Sequence, residues 1–176
     1  MDKESFIISG ELVRLRLMEE GDYPLIVRWR NSERVRHNFI YREEFTLEGQ
    51  KKWKETMIDT GKVVQLIICE KKKNDRPVGC VYFRDIDRSA RSAEYGIFIG
   101  EEDATGLGIG NETAVLATAY ARDELGLKEL ILRVFARNES AIKSYIHGGF
   151  EKSGFLAQVQ CSDGQKDDMI LMKKSL

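Results

Sequence analysis

"ATGLGIGNETA", residues 104–114, sets glycines at 106, 108 and 110 and then runs directly into an alanine-rich stretch with the composition of a helix. Gly106, Gly108 and Gly110 can take backbone angles closed to other residues and let a ligand approach the main chain without meeting a Cβ. Beyond them, "NETAVLATAYARDELG" keeps small or apolar residues through its first turns, gathers charge at Arg122, Asp123 and Glu124, and meets Gly126 as a stop. A helix beginning near Gly110 leaves its first N–H groups unpaired and turns its positive dipole end toward the glycines, which favours an anion, phosphate above all. The plainer alternative is a glycine-rich turn that only caps a core helix. Three glycines within five positions weigh against it.

Two familiar phosphate loops do not fit. A dinucleotide fold requires G-x-G-x-x-G, but counting from Gly106 and Gly108 the third site is Asn111, and the leading strand–helix–strand unit is missing upstream. A nucleoside-triphosphate loop requires G-K-[ST], whereas Asn111 and Glu112 follow Gly110. A shorter loop wrapped around a pyrophosphate remains.

The 176 residues fit one domain, 1–176, with room for a single substantial core. Twenty-eight basic against twenty-nine acidic residues give a net charge of −1, without the basic excess of a dedicated nucleic-acid binder. Cys69, Cys80 and Cys161 are odd in number and far apart, so neither a disulfide framework nor a metal site is expected. "MDKESFIISG" lacks the apolar core of a signal peptide, and no apolar run approaches the ~20 residues of a membrane span. These features lead to the expectation of a cytoplasmic protein with no membrane partner.

In "ELVRLRL", Val13, Leu15 and Leu17 alternate with Arg14 and Arg16, the period of a half-buried strand. "GDYPLIVRWRNS" reads as a helix capped by Asp22, with Pro24 in its first turn and a stripe of Leu25, Ile26 and Trp29. A short helix and loop follow, and then a helix capped by Thr46 that carries Trp53 and Met57 toward the core. "KVVQLIICE", "PVGCVYFRDI" and "AEYGIFIG" form an antiparallel meander, its first turn a solvated lysine-rich tip. After the glycine loop and its helix come the strand "ELILRVFA", the helix "NESAIKSYIHGG" and strands around "FLAQVQ" and "DMILMKK". The order predicts an α+β fold of three layers: a mixed, mostly antiparallel sheet of seven strands with helices on both faces.

This order, with the glycine loop after the fourth strand, resembles the GNAT superfamily of acetyl-coenzyme A-dependent N-acetyltransferases over nearly the whole chain. The superfamily's Q/R-x-x-G-x-G/A loop lies over Thr105 to Gly110, with Thr105 departing from the usual Gln or Arg. "ARNESAIKSYIHGGF" is similar to its second motif, N-x-x-(S/A)-x-x-x-Y-x-x-x-G-F, with Asn138, Ala141, Tyr145, Gly149 and Phe150 in place. The resemblance implies that acetyl-coenzyme A is the cosubstrate, with its pyrophosphate on the amides from Leu107 to Glu112. It implies that the pantetheine arm runs along Ile97, Phe98 and Ile99, where the fourth and fifth strands splay apart. Thr105, Gly106, Leu107, Gly108, Ile109, Gly110, Asn111, Glu112, Asn138, Ser140 and Tyr145 complete the implied cofactor site, and no metal takes part.

Acyl transfer to an amine needs a neutral nucleophile, a polarised carbonyl and a proton for the departing thiolate. An alkylamine has a pKa near ~10.4, so some group must take its proton. Tyr145 is expected as the acid for the thiolate, and Glu94, opening the fourth strand on the face of Gly96 and Phe98, as the base for the amine. The resemblance implies a backbone N–H near Phe98 for the carbonyl oxygen. His37 and His147 are lesser candidates for catalysis.

The acceptor wall is implied to lie between the first two helices, where Arg28, Arg30, Arg34, Arg36 and Arg42 stand against Glu33. Such a wall repels a polycation and attracts an anionic acceptor, unless it is simply a solvated face. "WRN" also looks like aminosugar N-acetyltransferases that act on nucleotide-linked sugars. Arg28, Trp29, Arg30, Asn31 and His37 are therefore the expected substrate contacts, in a monomer or homodimer acting on a small-molecule or protein amine. N-terminal acetylation of a ribosomal or other protein is the alternative, and a non-catalytic acyl-coenzyme A sensor is the alternative of another class.

Overall fold

A computed structural model describes residues 6–176, so the first five residues of the expected domain lie outside the described residues. The strands are β1 (Phe6–Ser9), β2 (Val13–Leu17), β3 (Val63–Glu70), β4 (Arg76–Asp87), β5 (Ser92–Ile99), β6 (Glu129–Phe135), β7 (Glu151–Gln160) and β8 (Lys166–Ser175). They join one sheet in the order β1-β2-β3-β4-β5-β6-β8-β7. Every pairing is antiparallel except β5 with β6. The mixed, mostly antiparallel sheet stands as expected, with one strand more than the sequence suggested. β1 is only four residues long and turns through Gly10, whose N–H donates to Val13 O at 2.8 Å, so the two strands read as a single run.

The sheet separates two helical layers. On one face, α4 (Ile109–Asp123) and α5 (Glu139–His147) bury Ile109, Ala117, Ala121 and Ile142 against Val13, Leu15, Leu66, Val81, Phe83, Ala93, Leu130 and Leu132. On the other, α1 (Tyr23–Asn31) lays Ile26 and Trp29 on Ile67, Cys69 and Cys80. Two short helices follow it, α2 (Glu33–Arg36) and α3 (Leu47–Trp53), the latter capped by Thr46, whose Oγ1 accepts from Gly49 N at 3.0 Å. Trp53 and Met57, expected in the core, are only half-buried, because α3 widens into a π turn over Lys54–Ile58 at the rim.

Two expectations about the first strand and helix are corrected. Leu17 ends β2 beyond the helical layer and is exposed, whereas Arg16 is buried. Asp22 does not cap α1; it is buried and accepts from both terminal nitrogens of Arg16 at 2.7 Å and from Glu19 N at 2.8 Å. A guanidinium on the α1 face of a strand is tolerated because a carboxylate meets it fork to fork. Asp22→Ala strands that cation, and urea unfolding followed by tryptophan fluorescence is expected to show a loss of about 3–5 kcal/mol. A loss below about 1 kcal/mol would mean that the pair is solvated.

Candidate active site

β5 and β6 run together only where Ser92, Ala93 and Glu94 face Glu129, Leu130 and Ile131. Beyond Glu94 the strands part. From Tyr95 to Ile99, β5 stays paired with β4, so every other residue turns its N–H and C=O toward the opening. Ile97 and Ile99 send their side chains toward α4, and Phe98 sends its ring toward α1. The opening is bordered by backbone donors and acceptors with apolar side chains above and below, which suits an extended amide-bearing arm.

At one end of the opening stands the glycine loop. Gly106 (φ 74°) and Gly108 (φ 81°) sit in the left-handed region, and Gly108 caps α4. Those two angles tie the loop's shape to glycine. The first N–H to find a helical acceptor is that of Glu112, onto Gly108 O at 3.0 Å. The amides just before it have no intrahelical carbonyl and lie at the positive end of a 15-residue helix. A Cβ at Gly110 would meet nothing within 4 Å, so space for a pyrophosphate lies open beside them. Ile109 is buried, and only its amide is left to serve a ligand.

Glu112 itself is a correction. Its carboxylate accepts from the N–H groups of Glu11, Leu12 and Val13 at 2.8, 2.8 and 2.7 Å, pinning the start of β2 to α4. With its N–H also engaged, Glu112 has nothing left for a phosphate. Thr105 Oγ1 closes the preceding turn onto Glu102 O at 2.6 Å. Asn111 accepts from Ser144 Oγ at 2.6 Å, which links the start of α4 to the second half of α5.

At the inner end of the opening lies an aromatic cluster. Asn138 caps α5 by accepting from Ala141 N at 3.2 Å, and exposed Ser140 follows it in the first turn. Gly149, at φ 87°, then ends α5 and folds Phe150 back beneath Tyr145, with Phe150 N donating to Tyr145 O at 2.9 Å. The Tyr145 ring lies 6.3 Å from that of Tyr95 and 5.8 Å from that of Phe150. Burial raises the Tyr145 phenol above its ordinary value, with the nearby Tyr82 phenol adding to the effect. The hydroxyl therefore keeps its proton at neutral pH.

On the α1 face, strand alternation and register gather Tyr82 and Arg84 of β4 with Glu94, Gly96 and Phe98 of β5 and Arg133 of β6. The Tyr82 ring occupies the space a Cβ on Gly96 would need, 2.1 Å away. Glu94 Oε1 accepts from Arg84 at 2.8 Å and from Arg133 Nε at 3.2 Å, and Oε2 accepts from Arg133 at 3.1 Å. The expected base thus stands at the parting point already held by two guanidiniums. Neither arginine was singled out from sequence, although "FRDI" and "ILRVF" each break an apolar alternation with a cation.

The expected acceptor contacts divide. Trp29 is buried, its ring over Gly100 and its Nε1 donating to Glu101 at 2.8 Å, and Asn31 is tied to both backbone groups of Phe45 at 2.8 and 2.7 Å. Both hold the α1 region in place, Trp29 spending its one donor on Glu101 and Asn31 spending one donor and one acceptor on Phe45. Arg28 pairs with Glu101 at the surface. The His37 ring is exposed, and its carbonyl accepts from Arg137 at 2.6 Å. Arg30 lays its guanidinium 3.4 Å from the Phe39 ring centroid.

Burial pushes the Cys69 thiol up to about 11 and the Cys80 thiol up to about 12, so neither is a ready acyl carrier. Among the described residues, no group of three or more His, Cys, Asp or Glu is placed to hold a metal ion, and no helix is long and apolar enough to cross a membrane.

Solved structures of the same architecture include the Vibrio cholerae spermidine N-acetyltransferase in complex with CoA and spermine. It is 21% identical over 94% of this chain and 96% of that chain, with a TM-score of 0.86. The dodecameric structure of spermidine N-acetyltransferase from Vibrio cholerae in an intermediate state is 22% identical over 94% and 95%, with a TM-score of 0.78. At this identity the likeness is one of fold. Residues 13–151 match the acetyltransferase (GNAT) domain, and the chain therefore belongs to that family of acetyl-coenzyme A-dependent N-acetyltransferases.

Proposed function

We propose that the protein moves the acetyl group of acetyl-coenzyme A to an amino group of a nucleotide-linked sugar, with Tyr145 as the acid for the departing thiolate. The observation that carries this reading is the parting of β5 and β6, with unpaired amides at its outer end and the half-buried Tyr145 phenol at its base. The pyrophosphate rests on the amides of Leu107 to Asn111, and the pantetheine arm follows Ile97 to Ile99. The amine attacks the thioester carbonyl directly, the C–N bond forms as the C–S bond breaks, and the Tyr145 hydroxyl donates to the sulfur. Glu94 uses three of its about four lone-pair sites on Arg84 and Arg133, leaving one for the amine proton or a water that relays it.

The acceptor follows from charge. Arg28 and Arg42 are matched by Glu101 and Asp163, and Arg34 donates to the carbonyls of Ile99 and Gly100 at 3.0 and 2.9 Å. Among the described residues no carboxylate pairs with Arg30 or Arg36, so this wall favours an anion. The Vibrio cholerae neighbour is a spermidine N-acetyltransferase; here a polycation would meet unmatched guanidiniums. A peptide N-terminus is the main competing acceptor, and a sensor that binds without turnover would leave Tyr145 without a task.

Thiol release from acetyl-coenzyme A is expected with nucleotide-linked aminosugars ahead of peptide N-termini, aminoglycosides and spermidine. A preference for spermidine would contradict the acceptor, and silence across all four would contradict catalysis. Tyr145→Phe is expected to lower kcat roughly 10²-fold with little change in coenzyme A affinity by calorimetry. Because the raised phenol retains its proton to higher pH, the wild-type advantage over Tyr145→Phe should hold to at least about pH 10. An advantage that vanishes by pH 8 would remove Tyr145 as the donor.

A further inference from the structure

Among the described residues, buried guanidinium nitrogens without a hydrogen-bond partner occur on Arg16, Arg30, Arg42, Arg76 and Arg84, and of these arginines Arg30 alone has no carboxylate paired with it. Arg16 is buried with both terminal nitrogens matched by Asp22 and only its Nε unmet. Arg30 is held against the sheet with one terminal nitrogen, Nη1, buried and without a hydrogen-bond partner among the described residues, and its other contact is a 3.5 Å approach to Tyr41 O. Arg84 Nε is likewise buried and without a hydrogen-bond partner, with an exposed Asp85 oxygen 3.6 Å away. A buried N–H without an acceptor costs about 1–3 kcal/mol, more when it belongs to a cation. Two of them on one face call for a common acceptor.

Several independent contacts place them beside the opening. Arg30 stacks on Phe39 at 3.4 Å and lies 5.1 Å from the Phe45 centroid, and Phe39 meets Phe98 edge-on at 5.8 Å. Arg84 pairs across strands with Glu94, two residues from Gly96, over which the Tyr82 ring lies. Tyr82 and Arg84 are both close enough to act on Arg30 electrostatically, and burial brings that guanidinium down to about 10. The inward charge is therefore three guanidiniums, Arg30, Arg84 and Arg133, against the one carboxylate of Glu94, with Asp85 at the rim.

We propose that Arg30 and Arg84 form a subsite for a phosphoryl group of the acceptor, with Arg133 and Glu94 acting as positioning residues that fix the Arg84 fork. A tetrahedral, multiply charged oxyanion accepts from two forks that converge from α1 and from β4, which a single carboxylate does less well. This inference rests on the acetyl-transfer reading for what the acceptor does next, but not for its binding. The pyrophosphate of coenzyme A occupies the α4 end, so the two anion sites are separate.

The test uses the full chain saturated with coenzyme A, so that the α4 end is filled, and titrates inorganic pyrophosphate and spermidine calorimetrically. Pyrophosphate is expected to bind and spermidine to give no heat. Arg30→Met and Arg84→Gln should each weaken pyrophosphate at least ~10-fold, the scale of one lost charge-assisted fork. Arg30→Met keeps the apolar stack and removes an unpaired buried charge, so its Tm should equal or exceed that of the wild type. A lower Tm would mark Arg30 as structural. Unchanged pyrophosphate affinity in both variants, or tighter binding of spermidine, would overturn the subsite. Thiol release separates the two readings. Catalysis with every amine acceptor lost and pyrophosphate binding intact contradicts acetyl transfer alone, whereas the reverse contradicts only the subsite.

Discussion

Everything functional in this molecule follows from one pairing that stops short. β5 and β6 share three residue pairs and then diverge, which exposes main-chain groups in the middle of a sheet whose other central strands are paired on both sides. A sheet does not surrender such hydrogen bonds without compensation. Here the gap is wedged at its base by Tyr95, Tyr145 and Phe150, whose rings meet within 6.3 Å of one another, with Tyr95 and Phe150 buried. The same wedge sets the Tyr145 phenol at the inner end of the gap. The connection that must span it, from the end of β5 through α4 to β6, brings the unpaired amides of a helix start to the outer end. The slot, the helix start and the phenol, to which we assign arm binding, anion binding and proton donation, are thus three consequences of one topological break.

The two faces of the sheet are built on different principles. The α4–α5 face is a continuous apolar core, and it carries the fold. The α1 face has a smaller apolar cluster around Trp29 and, beside it, an island of charge. There Arg16 is buried and meets Asp22 fork to fork with only its Nε unmet, whereas half-buried Arg30 has no carboxylate paired with it among the described residues. The first contributes to a defined structure, while the second leaves desolvated donors whose cost the rest of the fold must offset. Unmet polar groups of this kind concentrate where a ligand supplies the missing atoms. Arg133 and Glu94 differ again, for they are satisfied by each other and by Arg84, and they fix where Arg84 stands.

Much of this was legible in sequence, and the parts that were not share a physical cause. Alternation gave the first long strand, apolar runs between turns gave the meander, the glycine spacing gave the loop and the start of α4, and Thr46 caps the helix it was expected to cap. These signals are local, set by backbone geometry within a few residues. The corrected readings concern where a side chain goes when partners far apart in sequence compete for it. Asp22 had a capping position available and went to Arg16, and Glu112 reached back about a hundred residues to the amides of residues 11–13. Trp29 and Asn31 form a conspicuous cluster with Arg28 and Arg30, yet their partners Glu101 and Phe45 make them struts. Arg84 and Arg133 escaped notice because only the β4–β5–β6 register brings them to one carboxylate. β1 was hidden by its length, since four residues ahead of a glycine turn carry too little periodicity.

The central claim is that the gap between β5 and β6 receives coenzyme A, with its charged end on the start of α4 and its sulfur toward Tyr145. A crystal structure of the protein with coenzyme A tests it most directly. The account predicts the pyrophosphate against the amides of Leu107 to Asn111, the pantetheine amides bonded along the open edge of Tyr95–Ile99, and the thiol within hydrogen-bonding reach of the Tyr145 hydroxyl. Coenzyme A seated away from that edge, or a gap closed by direct pairing of β5 with β6, would contradict it.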